Sequence, residues 1–297
     1  MKKRNDWENT SDRSKAKGKP PVQTNPTEVR ALRANPTEAP TDKSILKNSA
    51  FKQSDPIEWL WEPLIPFGKV TIVQGDKGTG KSTLMLTIAA MLSSGIKPPT
   101  MRNGKLFPSE KIEPQNVFCA PTGEELADCT LPRFICNGGD VNRFAYSDEF
   151  ALRTLLREDD VRSAIEQSNA KLMIVDPVRA FLLTDEMKYY SRSKRMIHTM
   201  LSKIAAETGC AIVLVRYMNK TETAMRGCNG LGIMEIANYA DSILLVENKE
   251  RETGLRTVRV MRSNYAESDR TPIGMKLDDE RRLHFVDIGQ RFSPQPR

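Results

Sequence analysis

Residues 70–86 read VTIVQGDKGTGKSTLML, a β-branched run that breaks into glycines and resumes as apolar residues. The turn fits the phosphate-binding pattern G-x-x-x-x-G-K-[ST] at every position: Gly75, Asp76, Lys77, Gly78, Thr79, Gly80, Lys81 and Ser82, with Thr83 next. Each residue type answers a physical demand. Glycines let backbone N–H groups turn inward around phosphate oxygens with no Cβ in the way. The helix that follows aims its positive N-terminal end at the anion. Lys81 reaches the β- and γ-phosphates, and the Ser82 hydroxyl is suited to ligate Mg²⁺. Such a loop requires a strand before it and a helix after it. The pattern predicts both, a buried strand over residues 69–74 and an apolar helix over residues 82–94. The chain is therefore expected to bind a nucleotide, with residues 75–83 as the phosphate cradle.

A magnesium nucleotide needs a second acid. KLMIVDP, from Lys171, reads as a strand buried on both faces, and Asp176 closes its apolar run of four. Asp176 is thus the expected metal partner of Ser82. The nucleotide is expected to be ATP. Asn219-Lys220-Thr221-Glu222 imitates the N-K-x-D guanine reader, but Glu222 is one methylene longer than the aspartate that pairs with guanine. Asp176-Pro177-Val178-Arg179 also lacks the glycine of D-x-x-G.

Around these motifs strands and helices alternate. Residues 116–120 predict a strand, and residues 160–170 a helix with Val161 and Ile165 on one face. Met196, Ile197, Met200, Leu201, Ile204 and Ala205 mark a second helix, ended by Gly209 as its C′ glycine before the strand CAIVLV. This alternation predicts an α/β fold with a mainly parallel sheet and right-handed crossovers. Late in the chain SILLVE, RTVRVMRS, IGMKLD and RLHFVDI follow one another across the polar turns KERETG and DDER. They predict antiparallel hairpins that extend the sheet edge. WLWEPLIPFGK, with Trp59 and Trp61, is expected to pack beside the domain as an entry segment.

The ends of the chain have a different composition. Residues 1–55 are poor in apolar residues and are expected to form a disordered tail, with the phrase NPTE at 25–28 and again at 35–38. The folded domain is assigned to residues 56–290 and a short tail to residues 291–297. Of the net charge of +7, a surplus of five sits in residues 1–55, with 12 Lys and Arg against 7 Asp and Glu. A basic arm suits contact with phosphate backbones or with a replication partner, or serves only as a solvated tail. No stretch reaches the roughly 18–20 apolar residues of a membrane helix, and no apolar core follows the basic start MKKR, so no secretory signal is expected. Five cysteines form no C-x-x-C pair, and two histidines, His198 and His284, leave too few ligands for a Cys–His zinc site. These features point to the reducing cytoplasm.

The chain resembles RecA-like ATPases of the RepA-type hexameric helicase group, common in plasmids, phages and integrative elements. The resemblance runs from residue 58 to residue 288. It is carried by WLWEPLIPFGKVTIVQGDKGTGKST, GEELADCTLPRF, KLMIVDPVRAFL, ETGCAIVLVRYMNK and MRGCNGLGIMEIANYADSILLV. It implies a RecA-like P-loop core, ATP hydrolysis at subunit interfaces, a ring of six, and single-stranded DNA in the channel. By this resemblance Lys81, Ser82 and Asp176 hold MgATP, and the loops 183–195 and 221–232 face the channel. The first loop carries Lys188, Arg192, Lys194 and Arg195 with Tyr189 and Tyr190, a mixture of charge and stacking surface suited to a single strand. Arg262 falls where relatives place a basic residue that reaches the neighbouring subunit's γ-phosphate.

Two positions depart from the family. Where relatives carry the glutamate that polarises the attacking water, this chain has Gly123, within Thr122-Gly123-Glu124-Glu125. Glu124 can take that role if the loop shifts by one residue. Tyr217 replaces the usual histidine before Met218-Asn219-Lys220. The sequence therefore supports an ATP-driven DNA motor and, as the alternative, a nucleotide-dependent module that binds DNA or a partner with little turnover. A small-substrate P-loop kinase is disfavoured because no arginine-rich lid is visible.

Overall fold

The computed structural model describes residues 56–121, 126–146, 157–178, 191–218, 240–250, 252–265 and 271–288. The expected tails, 1–55 and 291–297, lie outside the described residues.

The described chain begins with β1 (Trp59–Trp61) and β2 (Ile65–Pro66), an antiparallel pair where the sequence predicts only an entry segment. Trp61 goes to the centre of the core. It is wholly buried, donates its indole N–H to Pro99 O at 2.8 Å, and meets Phe285 edge-on at 5.5 Å. Next come β3 (Val70–Gly75) and α1 (Lys81–Ser93), each within one residue of its predicted bounds. Four short strands follow: β4 (Ile96–Lys97), β5 (Thr100–Arg102), β6 (Lys105–Phe107) and β7 (Glu110–Lys111). They form two small ladders, β4 with β7 and β5 with β6. The inner turn is Asn103-Gly104, both at positive φ, which is the two-residue hairpin geometry that Asn-Gly favours.

The chain continues through β8 (Asn116–Pro121), α2 (Leu131–Cys136), β9 (Phe144–Tyr146), α3 (Glu158–Ser168) and β10 (Ala170–Asp176). It then forms α4 (Ser191–Thr208), β11 (Ala211–Tyr217), β12 (Ser242–Glu250), β13 (Leu255–Ser263), β14 (Ile273–Leu277) and β15 (Leu283–Val286). α3 starts two residues earlier than its apolar spacing predicts, because Glu158, Asp159 and Asp160 favour the positive end of the helix dipole.

The main sheet has the order β15-β14-β13-β12-β3-β11-β10-β8-β9. From β12 to β9 the strands are parallel, and β13, β14 and β15 add antiparallel hairpins at one edge. β3 lies in the middle, flanked by two strands that come more than 130 residues later in the chain. Crevices at such crossover points, beyond the carboxyl ends of parallel strands, are where ligands bind in open α/β sheets.

The period-two alternation of the strands divides the core into two layers. Val73, Val213, Val215, Leu244 and Val246 face Leu84, Met85 and Ile88 of α1, with Phe134 and Trp61. Ile72, Met173, Val175, Ile212 and Leu214 face Val161 and Ile165 of α3 and Ile197, Leu201 and Ile204 of α4. α1 is buried on nearly every side, as its unbroken apolar sequence predicts. The buried stripe of α4 is narrower than the sequence predicts. Ile197, Leu201, Ile204 and Ala205 are inside at i, i+4, i+7 and i+8, whereas Met196, on the flank of that stripe, is 64% exposed. Gly209, at φ 68°, follows α4 directly. No described helix is long and apolar enough to cross a membrane.

Candidate nucleotide site

The predicted cradle forms where β3 ends. Gly75 lies so close to β12 that a Cβ there would stand 2.2 Å from Val246 O, inside contact distance of backbone that cannot yield. Only glycine lets the loop leave the sheet at this point. Thr79 closes the turn, its hydroxyl donating to Asp76 O at 2.9 Å. Gly80 is the N-cap of α1 at φ 90°, with no side-chain cap and no acid in the first turn of the helix. The orphan N–H groups of that turn and the positive end of α1 are therefore presented to an anion.

Lys81 is only 2% exposed. Its ammonium donates to Gly75 O at 3.0 Å and Asp76 O at 2.7 Å, and sits 4.4 Å from the centre of the Tyr217 ring. Burial lowers its pKa to about 8, against the opposing pull of the Asp176 and Asp76 carboxylates. The cation is thus held by dipoles and a π face, with carboxylates acting on it through space. Bound phosphate would supply the full negative charge that this desolvated ammonium lacks at contact distance.

Asp176 ends β10 and is in register with Pro121 on β8. The four residues before it, Leu172, Met173, Ile174 and Val175, are at most 1% exposed, as a strand covered on both faces requires. Its charge is felt by Lys81, the neighbour of Ser82 in sequence. Ser82 and Asp176 offer oxygen donors, the chemistry of a Mg²⁺ site. Among the described residues no cluster of three or more His, Cys, Asp or Glu could hold a metal by itself, so an ion here would also take phosphate oxygens and water.

Beneath the loop, Arg216 is buried and donates its Nε–H to Gln74 Oε1 at 2.9 Å, while Gln74 Nε2 donates to Met261 Sδ at 3.0 Å. This chain of contacts fastens β11 and β13 to the strand that carries the loop. Nothing in the sequence pattern marks it.

The remaining expected site residues divide. Gly123, Glu124 and Glu125 lie outside the described residues, as do residues 221–232. Of the loop 183–195, only residues 191–195 are described, and they form the start of α4 instead of a loop. Arg262 is paired across the sheet with Ile243 and donates to Ala240 O at 2.7 Å, at the end of β13 away from the cradle. The structure does not bring it to the phosphate loop within one chain. Two contacts of the cradle go beyond the sequence reading, which marks Tyr217 only as the replacement of a family histidine. One is the face of Tyr217 beneath Lys81. The other is Arg256, whose side chain lies against Gly80 and whose only sequence signal is its position in the alternation of β13.

Comparison with known proteins bears on the family and the fold. A profile of the AAA domain family matches residues 34–223, nearly two thirds of the chain. A search among curated proteins finds no match. Among solved structures, the crystal structure of a KaiC-like protein from the hyperthermophilic archaeon Pyrococcus horikoshii OT3 is similar at a TM-score of 0.55 and 14% identity. The alignment covers 75% of this chain and 91% of that one, a likeness of fold. With the phosphate loop inside the matched span and a central parallel sheet around it, the chain belongs to the AAA domain family of RecA-like P-loop ATPases.

Proposed function

We propose that the protein is an ATP-hydrolysing RecA-like motor that acts on single-stranded DNA. It would be helicase-like, assembled as a homo-oligomeric ring of six, and serve replication or maintenance of a mobile element. The observation that carries the nucleotide half is the buried Lys81 ammonium, held at the mouth of a glycine cradle within the field of Asp176. Amides of residues 76–82 and the N-terminus of α1 would hold the phosphates, and Lys81 would leave its two loop carbonyls to reach them. Ser82 and Asp176 would hold Mg²⁺, which when bound neutralises charge on the phosphate oxygens. Glu124 would orient and deprotonate the attacking water, and Arg262 would serve a neighbouring subunit's γ-phosphate.

The DNA half rests on the sequence resemblance and on Lys188, Arg192, Lys194 and Arg195 beside two tyrosines. Charge and base stacking together suit a single strand. The test is ATP turnover by the full chain with and without single-stranded DNA, with ATP affinity measured alongside. DNA-stimulated turnover is expected. Glu124→Gln and Glu125→Gln, assayed separately, then identify the base.

A second reading is favoured by Gly123 at the usual glutamate position. The protein would bind ATP in order to assemble on DNA or on a partner, and turn it over slowly. Tight ATP binding with no stimulation by DNA selects this reading over the motor.

A further inference from the structure

β13 enters the sheet beside β12 and β14, with Arg256 paired to Asn248 on one side and Met275 on the other. Residues 256, 258 and 260 share a face by strand alternation. Val258 and Val260 on that face pack into the core layer that contains Leu84, Met85 and Ile88 of α1. The same alternation directs Arg256 at the first turn of α1. A Cβ built on Gly80 would meet Arg256 Cδ at 3.3 Å, and Nε and Nη1 at 3.6 Å. A guanidinium group therefore stands over the N-cap of the helix whose amides form the phosphate cradle.

The other arginines of this strand are engaged elsewhere. Arg259 Nε lies 3.3 Å from Glu247 Oε2, and Arg262 donates to Ala240 O. Among the described residues no carboxylate stands within ion-pairing distance of Arg256. A cation near the positive end of a helix is held against the local field. It has a physical reason to be there only when an anion occupies the cradle.

We infer that Arg256 is a nucleotide-binding residue supplied by the same subunit, which contacts the diphosphate part of the bound nucleotide. This rests on the proposal that the loop holds ATP. Its role differs from that of an arginine reaching in from a neighbouring subunit. Standing at the foot of α1, it meets phosphates present before and after the γ-phosphate leaves. It therefore strengthens ATP and ADP binding alike and leaves the chemical step largely unchanged.

The test compares the full-length chain with Arg256→Met, which keeps the stem and loses the charge, and with Arg256→Lys. Affinities for ADP and for inorganic pyrophosphate are read by displacement of a fluorescent ADP analogue, and melting is followed without nucleotide. Arg256→Met is expected to weaken both ligands by the same factor, about tenfold for one charge-assisted contact. Arg256→Lys, which restores a charge on a shorter head group, should recover part of the affinity. Unchanged ADP affinity in a variant that melts like the parent overturns the inference. So does a loss for ADP with none for pyrophosphate, which would assign the arginine to the nucleoside. A lower melting temperature with parental affinity in the folded fraction overturns it too, making Arg256 a packing residue only. If the parent chain binds neither ligand, the ATP site itself is refuted.

Discussion

β3 carries a polar cluster at each end. At its start, Asp241 accepts the Tyr265 hydroxyl at 2.7 Å and the Val70 amide at 3.3 Å, and its own amide donates to Val70 O at 3.1 Å. Arg262 donates to Ala240 O next to it, and Lys69 sits over the Tyr265 ring at 5.1 Å. Burial first, then the hydrogen bond and charge of Asp241, push the Tyr265 phenol well above its ordinary pKa, so it stays a donor. At the other end of the same strand, the Lys81 ammonium rests on carbonyls and a ring, under a helix terminus without a side-chain cap. The lower cluster supplies its own counter-groups and thereby fastens β12 and β13 to β3. The upper one concentrates positive potential and leaves the counter-charge to a ligand. The difference separates a polar group kept for structure from one kept for binding.

That contrast can be broken by experiment. The largest effect is expected from Asp176→Asn, which removes the carboxylate proposed for Mg²⁺. ATP turnover should fall by about 10²–10³ while the fold persists, as read by steady-state hydrolysis and circular dichroism. Lys81→Met should weaken ATP about 100-fold in a binding titration. It should leave the nucleotide-free chain no less stable, because a desolvated cation has been removed. Asp241→Ala should do the reverse. It strands the Tyr265 hydroxyl and the Val70 amide and should cost about 2–3 kcal/mol in denaturant unfolding, with nucleotide affinity of the folded protein retained. A fall in affinity with Asp241→Ala, or in stability with Lys81→Met, would erase the distinction.

A pH titration sharpens the upper cluster. Bound phosphate favours charged Lys81, and the free chain loses that proton near pH 8 instead of near 10.5. Affinity for ADP should therefore be level below about pH 7 and fall by up to about one decade per pH unit above 8. In the nucleotide-free chain the sign is opposite. The lowered pKa means that folding bears the cost of the buried charge below pH 8, and that cost is released between about 8 and 10.5, so stability rises in that window. The smallest effect is expected from Tyr265→Phe, about 1 kcal/mol for one hydroxyl donor, measured as a shift in the denaturation midpoint.

The parts of the site legible in the sequence are those fixed by local geometry. The cradle, the helix after it and the strand ending in Asp176 each occupy consecutive residues whose types meet one steric or electrostatic demand. The hairpin around Asn103-Gly104 is not among the expectations, and Trp61, expected to pack beside the domain, is wholly buried in its core. What depended on register was out of reach. The hairpins that join β12, β13 and β14 could be predicted from their alternation and turns, but what brings β13 to the phosphate loop is the parallel pairing of β12 with β3, segments far apart in the chain.

The amino-acid sequence by itself thus determined that a phosphate loop would sit between a buried strand and an apolar helix, opposite an acid-tipped strand. Backbone conformation and periodicity are local properties, written in neighbouring residues. Only the tertiary structure decided what surrounds the loop: the ring of Tyr217 beneath Lys81, the carbonyl of Val246 against Gly75, and Arg256 over Gly80. Each of those contacts joins residues more than 130 positions apart, and strand order in the folded sheet is what brings them together.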